Sequence, residues 1–352
     1  MNKNIYILPI SATFRNIKYP ERIIKSVEGL ERRIKGKKLK IKIGKSLSGG
    51  TVSSVYEATL DGKKAVVKHT ENTEPKTPVD FLIMSDAHDV EVKIINKLET
   101  IEGVRVPKII ENFPKFTTMI LEDLRVEGYT LLSDQIIGKK LSLKSAENIG
   151  KSLAILAKQS QIWDEFKTNE SAQMSFYERG LEYLIAYPND TKKYYKMEAA
   201  FTQYKEEKEE QQKLDKYFVW PDGHPKNMLV TDNGEVAFID FGRCHWGDQR
   251  YMLPNFLAHI FLYGLLGYIP EKKTIDYVKR CVKAYGDIIP VKDEGVFAEY
   301  VGLEVFHRAF GRYVDGVENR DGKLKLLEFA MIIFDKEIKS IKSLLHAYSS
   351  IK

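Results

Sequence analysis

The chain has 352 residues, of which 43% are hydrophobic and 30% charged, with a formal net charge of +6. This length leaves room for two lobes, and the composition argues against a disordered or membrane-embedded protein. The mild positive balance does not by itself point to nucleic acid, and two cysteines without ligand or disulfide spacing predict a reducing, cytoplasmic setting.

Residues 1–36 read as a mainly helical segment, and the apolar run Ile5 to Ile10 is too short, and broken by Pro9, for a signal peptide. Leu39, Ile41 and Ile43 alternate with lysines, as on one face of a strand. A glycine-rich turn, Ser48-Gly49-Gly50-Thr51, precedes a strand ending at Leu60, which turns at Asp61-Gly62 and returns as Ala65 to Lys68. Residues 80–99 predict a helix with Val90, Ile94, Ile95 and Leu98 on one side. Short strands follow at Val104 to Ile110 and Phe116 to Leu121. Beyond Glu122-Asp123-Leu124 the pattern is mainly helical, and the charged run Lys205 to Lys216 reads as a solvated face. Strand signals return at Phe218 to Trp220, Met228 to Thr231 and Val236 to Ile239, with Asn233-Gly234 turning the last pair. Three or four helices are expected from Tyr251 onward. The most apolar stretch, Met252 to Leu266, is shorter than a bilayer span and carries Pro254, Asn255 and His259, so it predicts a buried helix and no membrane crossing. The expected fold class is α+β and bilobal: a small antiparallel-sheet lobe over residues 1–123 and a larger, mainly helical lobe over 124–352.

The chemistry concentrates in the second hairpin. Asp222 is followed by Asn227 five positions on, then by Asp240-Phe241-Gly242 after the turn. Reversal at Asn233-Gly234 returns Asp240 beside the loop holding Asn227. An aspartate able to take a hydroxyl proton, with an amide oxygen and a carboxylate able to share Mg²⁺, is the pattern of a phosphoryl-transfer site. Glycines at 49 and 50 would let backbone N–H groups approach phosphates. Lys68 lies on the third strand, where an ammonium could reach them. Glu91 is preferred as its partner over Asp86, Asp89 and Glu99, because apolar residues flank it. Glu122-Asp123-Leu124 sits where a hinge could offer backbone groups to an adenine edge. The basic run Arg32 to Lys45 alternates with apolar residues and lacks aromatics, so nucleic acid is not an expected partner. The histidines at 69, 88, 259, 307 and 346 show no ligand spacing, and Cys244 reads as a small packed side chain.

This ordered set resembles the aminoglycoside phosphotransferase and choline kinase-like superfamily, small-molecule kinases with a protein-kinase-like fold. The resemblance runs over about residues 40 to 315, and the segment Trp246 to His259 is similar to the family's Gly-Asp-Pro stretch entering a helix. It implies ATP and Mg²⁺ as cofactors, Asp222 as catalytic base, and Asn227 and Asp240 as metal ligands. Lys68 with Glu91 would hold phosphates, Gly49, Gly50 and Ser53 would lie over the triphosphate, and Glu122 and Leu124 would border the adenine. Asp248 would brace the loop after Asp240, and Arg308 or Arg312 would line the acceptor side. Two departures stand out. Trp220-Pro221 replaces the usual His-Gly before the first aspartate, and Tyr251-Met252 stands where a bracing aspartate is common.

The implied partner is a small-molecule hydroxyl acceptor, such as a sugar, an amino alcohol or an aminoglycoside-like compound. Candidate acids for its pocket are Glu178, Glu182, Asp315, Glu318 and Asp321, and candidate aromatics are Tyr177, Tyr183, Trp246 and Tyr251. The alternatives are an atypical protein kinase, a non-catalytic nucleotide-binding scaffold, and a nucleic-acid-binding module on the basic strand. The sequence leaves the oligomeric state open.

Overall fold

Two turn pairs organise the strands, and both reverse the chain where the sequence places them. The computed structural model describes residues 40–49, 53–70, 87–163, 217–310, 320–335 and 338–351. The first sheet contains β1 (Ile41–Gly49), β2 (Ser53–Leu60), β3 (Lys63–Thr70), β4 (Ile109–Phe113) and β5 (Thr118–Glu122). All neighbours are antiparallel, in the order β1-β2-β3-β5-β4. At the β2–β3 turn, Asp61 and Gly62 take φ of 49° and 84°, the left-handed pair that a two-residue hairpin requires.

Helix α1 (Ala87–Leu98) packs Val90, Ile94, Ile95 and Leu98 into the main core, together with Met119 and Leu121 of the sheet. Alternate strand residues, among them Tyr56, Ala65, Val67 and Ile120, form a separate core on the other face. Lys68 therefore shares with Val66 the sheet face turned toward α1.

The sheet differs from its expected form in two places. The strand expected from Val104 starts only at Ile109. Pro107 has no N–H to give to a ladder, and Val104 and Val106 are buried ahead of it. Arg105 makes a single parallel bridge to Ala237 instead. Of the residues read as a glycine-rich turn, Ser48 and Gly49 extend β1 through two register shifts, so Gly49 ends the strand opposite Ser54. Residues 50–52, 1–36 and 80–86 fall outside the described residues, as do Lys205 to Lys216.

After Glu122 come β6 (Thr130–Leu131), α2 (Leu132–Ile137) and α3 (Leu143–Gln159). Strands β7 (Tyr217–Val219), β8 (Met228–Val230), β9 (Val236–Phe238) and β10 (His245–Gly247) form two small sheets, β6-β8-β9 and β10-β7. Among the described residues five helices follow where three or four are expected: α4 (Met252–Leu265), α5 (Glu271–Gly286), α6 (Glu294–Phe310), α7 (Arg320–Asp335) and α8 (Ile341–Ser349). Helix α4 is buried almost throughout, as its apolar run requires. No helix among the described residues is long and apolar enough to cross a membrane.

Helices α3 and α5 approach closely at Gly150, where an added Cβ would run into the carbonyl oxygen of Cys281. Gly150→Ala should therefore destabilise the protein by about 1–3 kcal/mol, because overpacking against rigid backbone outweighs the helix propensity of alanine. Urea denaturation checks this, and an unchanged or raised midpoint would contradict it.

Candidate active site

The β8–β9 hairpin sets the geometry. Met228 pairs with Phe238, and Gly234 supplies φ of 82° at the turn. One step past the ladder, the Ile239 N–H donates to the Asn227 carbonyl at 3.0 Å, which brings Asp240 back beside Asn227. Asp240 itself takes the left-handed φ of 66°, a conformation uncommon for a non-glycine residue and concentrated at functional sites. The Asn227 side-chain nitrogen donates to the Asp222 carbonyl at 3.0 Å. Its amide oxygen is thereby turned the opposite way.

Lys68 joins the sheet to this hairpin. Its Nζ lies 2.7 Å from Glu91 and 2.8 Å from Asp240 Oδ1. Burial alone would lower the Lys68 pKa, but the carboxylates of Asp240 and Glu91 outweigh it and hold the ammonium charged. Burial would raise the Asp240 pKa, yet Lys68 keeps it below the usual carboxylate range. Burial raises that of Glu91. Glu91 also accepts the Phe241 N–H at 3.2 Å, so one carboxylate fixes both the lysine and the residue after Asp240. The Asp240 side chain remains 44% exposed and accessible to a ligand. Asp222 is half-buried, with Arg243 Nε 3.5 Å from its carboxylate.

The remaining expected residues fall as follows. Ser53 opens β2 opposite Thr70, and Gly50 lies outside the described residues. Glu122 ends β5 with its N–H bonded to the Lys108 carbonyl and its side chain paired with Arg105, so it offers an adenine no side-chain group. Leu124 is buried against Tyr129, Ala237 and Leu229. Among the pocket candidates, Asp321 is exposed in the first turn of α7, and Trp246 is buried in β10. Tyr251 is buried with its hydroxyl donating to Glu304. The other six, and Arg312, lie outside the described residues. Asp248 caps Arg250 N–H and accepts the Tyr300 hydroxyl.

Both sequence departures have structural substitutes. The Trp220 indole N–H donates to the Asp240 carbonyl at 3.0 Å, so tryptophan supplies loop support where a histidine is usual. Asn255, fully buried, donates to the Pro221 carbonyl at 2.7 Å and braces the loop from α4. The signal for Asn255 was its four-residue spacing from His259 within an otherwise apolar helix, since buried polar side chains need a partner.

A family model described as "Phosphotransferase enzyme family" matches residues 44–253, more than half of the chain. The chain belongs to this family. No curated protein sequence matches it. Solved structures similar to this phosphotransferase include an amicoumacin kinase in complex with AMP-PNP and Ca²⁺, at 16% identity and a TM-score of 0.55, covering 92% of this chain and 98% of that one. Choline kinase LicA from Streptococcus pneumoniae is similar at 16% identity and 0.53, covering 89% and 99%. An ethanolamine kinase from Plasmodium vivax is similar at 13% identity and 0.51, covering 89% and 87%. At these identities the likeness is one of fold, the protein-kinase-like fold of the family.

Histidines buried around the site of this phosphotransferase give it an acid-sensitive fold. Burial pulls His245 down to about 4, and burial with the nearby Arg308 charge pulls His259 to about 4. Both are neutral when folded at neutral pH, whereas the unfolded chain protonates them near the ordinary value of 6.5. Unfolding therefore takes up protons between about pH 6.5 and 4, and stability falls with pH across that window. Calorimetry should show Tm dropping through this range, with proton uptake on unfolding; a flat Tm would contradict the assignment.

Proposed function

We propose that this phosphotransferase moves the γ-phosphoryl group of ATP to a hydroxyl of a small molecule. The observation that carries the reading is the convergence of Lys68, Glu91 and Asp240 within 2.8 Å, beside an Asn227 amide oriented by the Asp222 loop. Asp222 faces the acceptor and takes its hydroxyl proton. The acceptor oxygen bonds to the γ-phosphorus as the bond to the β–γ bridging oxygen breaks, leaving ADP. Lys68 holds the phosphates, Glu91 holds Lys68, and the end of β1 with Ser53 borders the triphosphate. The adenine is placed against backbone at residues 122–124, and the lobe boundary near residue 123 belongs to the same reading.

The donor set suits Mg²⁺, which needs oxygen ligands and typically uses one or two carboxylates together with substrate phosphates. Asp240 and Asn227 would hold it. When bound, Mg²⁺ neutralises charge on the β- and γ-phosphate oxygens. Positioning by the chain's own residues supplies much of the remaining advantage.

The test is transfer of label from γ-labelled ATP to a panel of hydroxyl compounds. Transfer should require a divalent cation and be lost on EDTA treatment and in Asp240→Asn. ATP binding without ADP release across the whole panel would favour a nucleotide-binding scaffold instead.

A further inference from the structure

Beside the loop that carries Asp222 lies a polar cluster built from α4 and α6. On α4, His259 stands one turn beyond Asn255, and its ring packs 5.3 Å from that of His224, two residues after Asp222. On α6, Glu304 and Arg308 stand one turn apart. Glu304 is fully buried, and its carboxylate is spent inside the cluster. It accepts Arg308 Nε at 2.5 Å and the Tyr251 hydroxyl at 2.8 Å, and His259 Nε2 lies 3.3 Å away without hydrogen-bond alignment.

Arg308 is different. Nε is engaged, while its two terminal amino groups make no hydrogen bond among the described residues, and the side chain is 12% exposed. Its charge and that of Asp222 act on each other. Arg243 has spare donors too: its contact among the described residues is the loose 3.5 Å pair with Asp222, and its side chain is 26% exposed. Two guanidinium forks with spare donors among the described residues therefore lie at the Asp222 loop, Arg243 against the Asp222 carboxylate and Arg308 linked to the loop through Glu304, His259 and His224, while the Glu304 carboxylate is already saturated. Such forks match carboxylate and phosphate geometry, and they repel an ammonium.

We propose that the acceptor is a hydroxylated anion, whose carboxylate or phosphate is held by Arg308 and Arg243 while its hydroxyl faces Asp222. This rests on the phosphotransferase reading above and narrows its acceptor. It also separates this chain from relatives whose names specify choline or ethanolamine.

The test uses the full chain at saturating ATP and Mg²⁺, with ADP release read for four small acceptors: glycerate, glycerol phosphate, glycerol and choline. The two anions should be favoured over glycerol and choline by about tenfold or more in kcat/KM, and the better of the two tells carboxylate from phosphate recognition. Arg308→Gln should raise KM for the preferred anion about tenfold, and Arg308→Lys should recover part of the loss. In the unaltered chain, KM for that anion should rise with salt, which needs no variant to fold. Preference for choline or glycerol, with turnover still abolished by Asp222→Asn, would overturn this inference and leave the phosphotransferase reading intact. ADP release that ignores every acceptor and Asp222→Asn would overturn both.

Discussion

Asp222→Asn is expected to fold, to bind ATP as the unaltered chain does, and to turn over about a thousandfold more slowly, the scale on which a general base contributes. The structure explains why these effects separate. Asn227 is oriented by the Asp222 backbone carbonyl, which the substitution leaves in place. Asp240 is held by Lys68 and, through its carbonyl, by Trp220, and neither contact involves the Asp222 carboxylate. The contact that changes is the 3.5 Å pair with Arg243, between partly exposed groups, which adds little to stability. Steady-state kinetics beside a nucleotide-binding titration would check the prediction. Unchanged turnover would remove Asp222 from the role of base, and loss of ATP binding would mean that its carboxylate serves the nucleotide.

Glu304→Ala should be the most damaging single change to stability, costing about 3–5 kcal/mol, because it strands a charge that Glu304 compensates. The carboxylate is buried, and the Arg308 charge, ahead of the histidines, holds its pKa well below the ordinary range against the opposing effect of burial. Its loss leaves the Arg308 guanidinium and the Tyr251 hydroxyl without their partner inside the helical lobe. Pairing it with Arg308→Met should restore part of the stability, since the stranded charge is then gone. Chemical denaturation of the single and double variants would check this. A double variant less stable than Glu304→Ala would show that the cluster is held by something other than charge compensation.

Much of the hairpin and nucleotide side was legible because its signals are local. Asp61-Gly62 and Asn233-Gly234 turn where left-handed backbone is needed, and the register of β8 and β9 returns Asp240 to Asn227 by arithmetic alone. Lys68 could be placed from its position on the third strand, after the Asp61-Gly62 turn. What stayed hidden depends on contacts between distant segments. Trp220 supports Asp240 across twenty positions, and Asn255 reaches Pro221 from the next helix. Asn255 itself stands out as a polar residue in an apolar helix, but the partner of neither contact leaves a pattern within a window of sequence. Arg243 belongs to the same class, since nothing in its neighbours predicts its approach to Asp222. The late start of β4 has a local cause in Pro107, which cannot donate to a ladder.

The central claim is that Asp240 and Asn227 share one cation beneath a triphosphate held by Lys68. Crystals grown with AMP-PNP and Mn²⁺ test it by anomalous scattering. The account predicts a manganese peak bound by the Asp240 carboxylate and the Asn227 amide oxygen, with Lys68 on the phosphates and the Asp222 carboxylate facing the γ-phosphorus. A manganese ion elsewhere, or a nucleotide whose phosphates lie away from Lys68 and Asp240, would contradict it.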